Sequence, residues 1–369
     1  MEVTGGAVEV TTSAPGKVFL AGEYGVLVGG PAVIAAVEAR LGCRVRLGPG
    51  EGRVHVTNGK HAGSARLSDD PRMVPAEVRF AAVAASAAMR RLGLCRSDVT
   101  VETVSDLDAE SAKRGLGGSA AVVAATVGAV YAAAERRCDT SDLRERTSLA
   151  VEAHRLAQGG GSGADVVAAT VGGLVLVDEL DASRVPADIG DCTGETAIRF
   201  ERLELPKPLT LAIVATGRPA ASAPRARRFV ARAGEAAAAG AAVRAWCEGM
   251  RAVAMALAAA CRAGDSEGAV AAIDRAGALL ERLAPLASIR ILTPELRTAV
   301  VIARRCGAVA KPSGAGGGDC AIALVAEPRR EELRTSWARA GLEPISAGVA
   351  AAGVRVESRP HEEGQRGTG

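Results

Sequence analysis

The sequence predicts an α+β protein in which helices pack on sheets that are not all parallel. Two observations carry this expectation. Runs rich in β-branched residues and runs of helical periodicity follow one another in mixed order, which disfavours an all-parallel sheet. Hydrophobic residues make up 48% of the chain but aromatics only 2%, so the core must be built from Ala, Val and Leu, small enough for helices to lie close against a sheet. At 369 residues the chain is long enough for two packed cores, since single domains usually run to about 100–200 residues.

From Val8 to Val56 the chain reads as strands broken by glycine turns: VEVTTSA, KVFLAGE, AVIAAVEARL and CRVRL. Residues 57–72, with Asn58-Gly59 and Asp70-Pro71, predict a surface loop. PAEVRFAAVAASAAMRRLG then predicts a helix with a proline start and a glycine stop, followed by a strand at 99–105. The small-residue run from Ala120 to Arg137 predicts a buried helix, and SDLRERTSLAVEAHRLAQ a second one ending at three glycines. Strands are expected near GGLVLVDEL at 172–180, then a loop through Thr196. Pro206-Lys207-Pro208 punctuates the chain and places a boundary near residue 205, giving domains 1–205 and 206–358. The second opens with the strand LTLAIVAT and continues with Ala- and Arg-rich helices between 224 and 284. A helix (294–306), a glycine loop (313–318), a strand (320–326), a helix (328–340) and a strand (352–357) complete it. The polar tail 359–369 is expected to be disordered.

Charge and cysteine usage narrow the class. Lys and Arg number 45 against 42 Asp and Glu, and a net charge of +3 is too small a bias to argue for nucleic acid or an anionic membrane. The eight cysteines are scattered singly, without the spacing of a disulfide scaffold or zinc site, and read as reduced thiols of a cytoplasmic protein. MEVTGGAVEVTTSAPGK lacks a basic start and apolar run, and no stretch of about 18 apolar residues appears, so neither secretion nor membrane spanning is expected. The four histidines form no HxxxH or HExxH pair for a metal. Monomer and homodimer both remain open.

Four glycine-rich segments could carry chemistry. In KRGLGGSAAVVAATVGAV, glycines at 115, 117 and 118 allow close backbone approach, and Ser119 opens a helix whose free N–H groups favour phosphate. It is neither a Walker A loop nor GxGxxG, and a plain turn capping a core helix is the alternative. KPSGAGGGDCAIAL (311–324) leads a flexible loop straight into an apolar strand that could hold it beside a ligand. In QGGGSGADVVAATVGG, Asp165 stands near a helix start, where it is either a cleft carboxylate or simply the helix cap, and local sequence favours the cap. In APGKVFLAGEYGVLVGGPAV, Lys17, Glu23 and Tyr24 flank a short strand, although Lys17 alone would most often be an exposed strand residue.

In content and order these segments resemble the GHMP kinases, named for galactokinase, homoserine kinase, mevalonate kinase and phosphomevalonate kinase. PGKVFLAGEYGVL is similar to the first family motif, GLGGSAA (115–121) to the second and KPSGAGGGDC (311–320) to the third. AGEY, Lys113 before GLG, GSGADVVAATVGG, TGRPAAS (216–222) and SGAGGGDC resemble the phosphomevalonate kinase branch. The resemblance implies the GHMP kinase fold, with an N-terminal domain like domain 2 of ribosomal protein S5 and a ferredoxin-like C-terminal domain. It implies ATP and Mg²⁺ as cofactors and a small phosphorylated acceptor, 5-phosphomevalonate, as substrate. The residues Lys113, Arg114, Gly115, Leu116, Gly117, Gly118, Ser119 and Ala120 would bind ATP, with Ser119 a metal ligand. Lys17 and Asp165 would be catalytic. Glu23, Tyr24, Ser162, Gly163, Arg218, Ser222, Ser313, Gly314, Ala315 and Gly316 would face the acceptor. One departure stands out: the second motif usually carries two serines, and the first is Gly118 here. Another acceptor, such as mevalonate, a sugar or an amino alcohol, and a catalytically silent regulator with the same fold, are the alternatives.

Overall fold

The computed structural model describes residues 7–105, 107, 114–134, 140–181, 184–236 and 238–358. The opening strands are longer than their glycines suggest. Val8–Ala21 (β1) and Ala32–Pro49 (β2) pair antiparallel from Val8↔Leu47 to Ala21↔Val33. Pro15-Gly16 does not turn the chain but forms a bulge, where the register shifts. The bulge has a cause further along the chain. A Cβ on Gly16 would stand 2.8 Å from the Leu116 carbonyl oxygen, and that same oxygen accepts a 2.7 Å hydrogen bond from Lys17 N.

The expected loop at 57–72 is corrected to a hairpin, Arg53–Thr57 (β3) and Ala62–Arg66 (β4), closed over Asn58-Gly59. The helix Arg79–Arg91 (α1) begins four residues after the proline, and Ser97–Ser105 (β5) follows. Gly118–Ala133 (α2) is apolar all round and lies on β1 and β2, as a helix without a polar face must. Thr140–Gln158 (α3), Ala164–Val171 (α4), Leu174–Leu180 (β6) and Ile198–Leu203 (β7) complete the first half. The expected continuation of α2 to Arg137 lies outside the described residues.

The second half opens with Leu209–Ala215 (β8) and three helices, Ser222–Gly234 (α5), Ala238–Ala263 (α6) and Ser266–Ala287 (α7). Pro294–Arg305 (α8), capped by the Thr293 hydroxyl, leads to Val309–Pro312 (β9) and Cys320–Ala326 (β10). Arg330–Arg339 (α9), Glu343–Ile345 (β11) and Arg355–Ser358 (β12) end the described chain. The tail 359–369 lies outside it.

Two sheets result. The first runs β12-β1-β2-β5-β3-β4, with β6 joining β2 to β7, and only β3 and β5 pair in parallel. The second runs β11-β8-β10-β9, wholly antiparallel, the strand order of a ferredoxin-like βαββαβ unit. The fold is therefore α+β. The segment expected as the last strand of the second domain is instead an edge of the first sheet, because β12 pairs with β1. The two sheets share one core, since Val18 and Ile34 belong to the same apolar cluster as Leu211, Val253 and Ile322, while the other face of the second sheet, with Val214 and Ala323, packs a second cluster around Trp337. Among the described residues the cysteines are free, and no helix is long and apolar enough to cross a membrane.

Candidate active site

A cavity of about 780 Å³ opens where the glycine segments meet. Gly115 (φ +73°) and Gly117 (φ +82°) adopt left-handed backbone that side chains rarely tolerate, and they bring the chain to the start of α2. The cap residue Gly117 has no side chain to bond the first N–H groups of α2, and among the described residues Gly117, Gly118 and Ser119 line the cavity there. Leu116 is buried and fixes the loop to β1 through its carbonyl. A Cβ on Gly117 would stand 2.6 Å from Lys17 Cε, so the Lys17 side chain runs directly against the loop. Ala120 is buried in the first turn of α2. Arg114 does not join the cavity; its Nε donates to Glu343 at 3.0 Å, and it borders a separate hollow beside Arg40. Lys113 lies outside the described residues.

Asp165 is half-buried on the same cavity. The cap position of α4 is held by Gly163 (φ +79°), and Asp165 sits inside the first turn, where its Oδ1 accepts from Val166 N at 3.1 Å. A Cβ on Gly163 would meet Val151 at 2.6 Å, which explains glycine there. The wholly buried Arg155 holds this loop by donating to the Ser162 and Arg184 carbonyls. Ser162 in turn accepts from Ala164 N at 3.3 Å through its hydroxyl.

His154, which spacing rules for metal sites pass over, is buried with Nε2 3.2 Å from the Ser119 hydroxyl. Its ring lies 5.1 Å from that of Phe80. Burial holds its pKa below the ordinary range; Asp165 opposes this, while Arg155 and Lys17 add to it, so the imidazole is neutral at neutral pH. The signal in the sequence was its position on the helix that runs into the Asp165 loop.

The opposite wall comes from both sheets. Glu23 is not free to meet a ligand through both oxygens: its Oε1 is paired with the buried ammonium of Lys311, which also donates to Pro312 O at 2.9 Å and Phe19 O at 3.3 Å. Tyr24 (φ +61°) donates through its hydroxyl to Ala315 O at 2.6 Å and packs on Phe229. Burial pushes its phenol pKa well up. Ser313 accepts from Phe19 N at 2.8 Å, so its hydroxyl ties the third motif to the first. Gly314, Ala315 and Ser222 line the cavity. Gly316 does not; a Cβ there would stand 2.8 Å from Ile291 O. Arg218 also stands apart, with an exposed guanidinium 2.9 Å from Glu295. Asn58 and Lys60, from the hairpin tip expected to be a plain loop, reach the cavity as well.

Two family models match the chain: GHMP kinases N terminal domain over residues 79–173, and GHMP kinases C terminal over residues 256–342. The phosphomevalonate kinase of Streptomyces sp. (strain CL190) is 31% identical over 381 residues, covering 95% of this chain and 100% of that protein. The chain belongs to the GHMP kinases. As a member of that family it is a small-molecule kinase. Among solved structures, the Lin0012 protein of Listeria innocua superposes with a TM-score of 0.81 at 23% identity, over 94% of this chain and 99% of that one. The Streptococcus pneumoniae phosphomevalonate kinase, in complex with phosphomevalonate and AMPPNP, gives 0.75 at 22%, over 92% and 99%. Both likenesses bear on the fold of this GHMP kinase, whose three glycine motifs converge on one cavity together with Asp165.

Proposed function

We propose that this GHMP kinase transfers the γ-phosphoryl of ATP to 5-phosphomevalonate, giving 5-diphosphomevalonate and ADP. The observation that carries the reading is that α2, α4 and α5 all begin on one cavity, and none has a cap residue that lends a side chain. The N-termini of α2 and α5 offer N–H groups and positive dipole ends to more than one anionic group, as a nucleotide and a phosphorylated acceptor together require, while the first N–H groups of α4 are engaged by Ser162 and Asp165. The name of the Streptomyces relative and the ligands of the Streptococcus structure support the same choice.

In this reading the start of α2 cradles the ATP phosphates and Lys17, against that loop, stabilises the charge spread over the transferring group. An acceptor phosphate oxygen attacks the γ-phosphorus as the bond to the β–γ bridging oxygen breaks, and that oxygen leaves with ADP. A phosphate monoester is already largely ionised at neutral pH, its second pKa being about 6, so Asp165 serves more to orient the acceptor than to deprotonate it. The Ser119 hydroxyl and Asp165 carboxylate are oxygen donors of the kind Mg²⁺ takes in small number beside substrate phosphates, so the residues present fit that ion. Bound there, Mg²⁺ would neutralise phosphate charge. Neutral His154 would hold the Ser119 hydroxyl in place.

A neutral-ended acceptor such as mevalonate is the second reading, favoured by the pairing of Arg218 with Glu295 away from the cavity. The test is turnover with ATP and Mg²⁺ over 5-phosphomevalonate, mevalonate and galactose. ADP and the diphosphate are expected with the first alone. Efficient phosphorylation of mevalonate with 5-phosphomevalonate ignored would replace the substrate and leave the family standing.

A further inference from the structure

Asp319 closes the third glycine motif and is one of three non-glycine residues with positive φ among those described, at +58°. Such a backbone persists where its surroundings over-determine it, and Asp is among the side chains that tolerate it. Here the surroundings are a single loop, 216–220, which leads from β8 into α5. Asp319 N donates to Arg218 O at 2.7 Å, and Asp319 O accepts from Thr216 N at 2.8 Å and from the Thr216 hydroxyl at 3.0 Å. Its Oδ1 accepts from Ala220 N at 2.8 Å, two residues before α5 begins. The other face of Asp319 meets the first sheet's side of the cavity. A Cβ on Gly115 would stand 2.3 Å from Asp319 Cβ, so the two residues are in direct packing contact.

We propose that Asp319 is a positioning residue that spaces the start of α5 from the phosphate loop, and so aligns acceptor against nucleotide. It rests on the reaction proposed above for its kinetic consequence alone. In-line phosphoryl transfer tolerates little misplacement, and a displacement of about 1 Å at the reacting ends can cost about a hundredfold. The cap residue of α5 lends no side chain, so the loop 216–220 is held by its bonding to Asp319 together with the exposed Arg218–Glu295 pair.

Asp319→Asn and Asp319→Gly separate bracing from charge. Asn tolerates the left-handed backbone and keeps an oxygen for Ala220 N; Gly keeps the backbone and loses the oxygen. For Asp319→Gly the acceptor KM should rise about tenfold, the scale of one lost hydrogen bond, and amide exchange over 216–222 should quicken by a similar factor. AMPPNP affinity should stay within about threefold in both variants, and Asp319→Asn should stay within about threefold of the parent in every readout. The exchange arm is read on the free protein. Should the acceptor assigned above be wrong, the parent itself will not turn it over, while the exchange arm still answers. If Asp319→Asn is impaired as severely as Asp319→Gly, or if Asp319→Gly leaves either the exchange or the acceptor KM unchanged, the proposal is overturned.

Discussion

Asp165 shows what a local reading of the sequence can and cannot supply. A carboxylate after a glycine turn and before an apolar run is most simply a helix cap, and only the backbone reveals that Gly163 holds the cap position. The two roles predict opposite outcomes. A lost cap would cost about 1 kcal/mol of stability with normal turnover. A carboxylate acting in the chemical step predicts that Asp165→Asn, and likewise Lys17→Met, cut turnover about a hundredfold or more with little change in the melting temperature. Steady-state rates and thermal melts on the same preparations decide it. The role of His154 was harder to read for a different reason, since its partner Ser119 lies on another helix. Its pKa is lowered by burial, so the unfolded chain takes up a proton near the ordinary 6.5 while the folded one does not. Stability should therefore be fully present above that pH and fall as the pH drops below it. Urea midpoints measured from about pH 7.5 down to about pH 5.5 should decline, and His154→Asn should flatten the decline.

Glycine-rich loops, long helices and the strand at β12 were legible as elements, whereas β9 and β11 were not. The reason is length: β9 and β11 hold 4 and 3 residues, too few for an alternation to register. β1 was read as two strands because Pro15-Gly16 looks like a turn, whereas the close approach of Leu116 makes it a bulge. Within the loop at 115–118 the neighbouring glycines differ in kind. Gly117 has positive φ and faces the Lys17 side chain, whereas a Cβ on Gly118 would meet nothing within 4 Å. A bulkier residue at 117 would first displace Lys17. Gly117→Ala should therefore lower kcat more than nucleotide affinity. Gly118→Ser, which restores the hydroxyl usual in the family motif, should fold normally and bind an ATP analogue about threefold tighter or better, the gain of a hydrogen bond to a charged group. Calorimetric titration reads both, and weaker binding by Gly118→Ser would show that the open position is kept open for the ligand.

At the scale of the molecule, the proline punctuation near residue 205 separates the two sheets, but the return of β12 to β1 and the shared core are contacts between distant segments that no local pattern encodes. One tie between the sheets is the buried pair of Lys311, on β9, and Glu23, just beyond β1, with side chains 0% and 2% exposed. Among the described residues Glu23 Oε2 has no hydrogen-bond partner. Removing one partner of such a pair leaves an uncompensated buried charge, whereas removing both does not. Lys311→Met should therefore cost about 3–5 kcal/mol, seen as a lower urea midpoint. Glu23→Gln should cost less, since the Lys311 ammonium keeps the Phe19 and Pro312 carbonyls as acceptors. The double variant should be more stable than the sum of the two losses, because neither charge is then left alone in the interior. Additive losses would mean that the two side chains do not depend on each other.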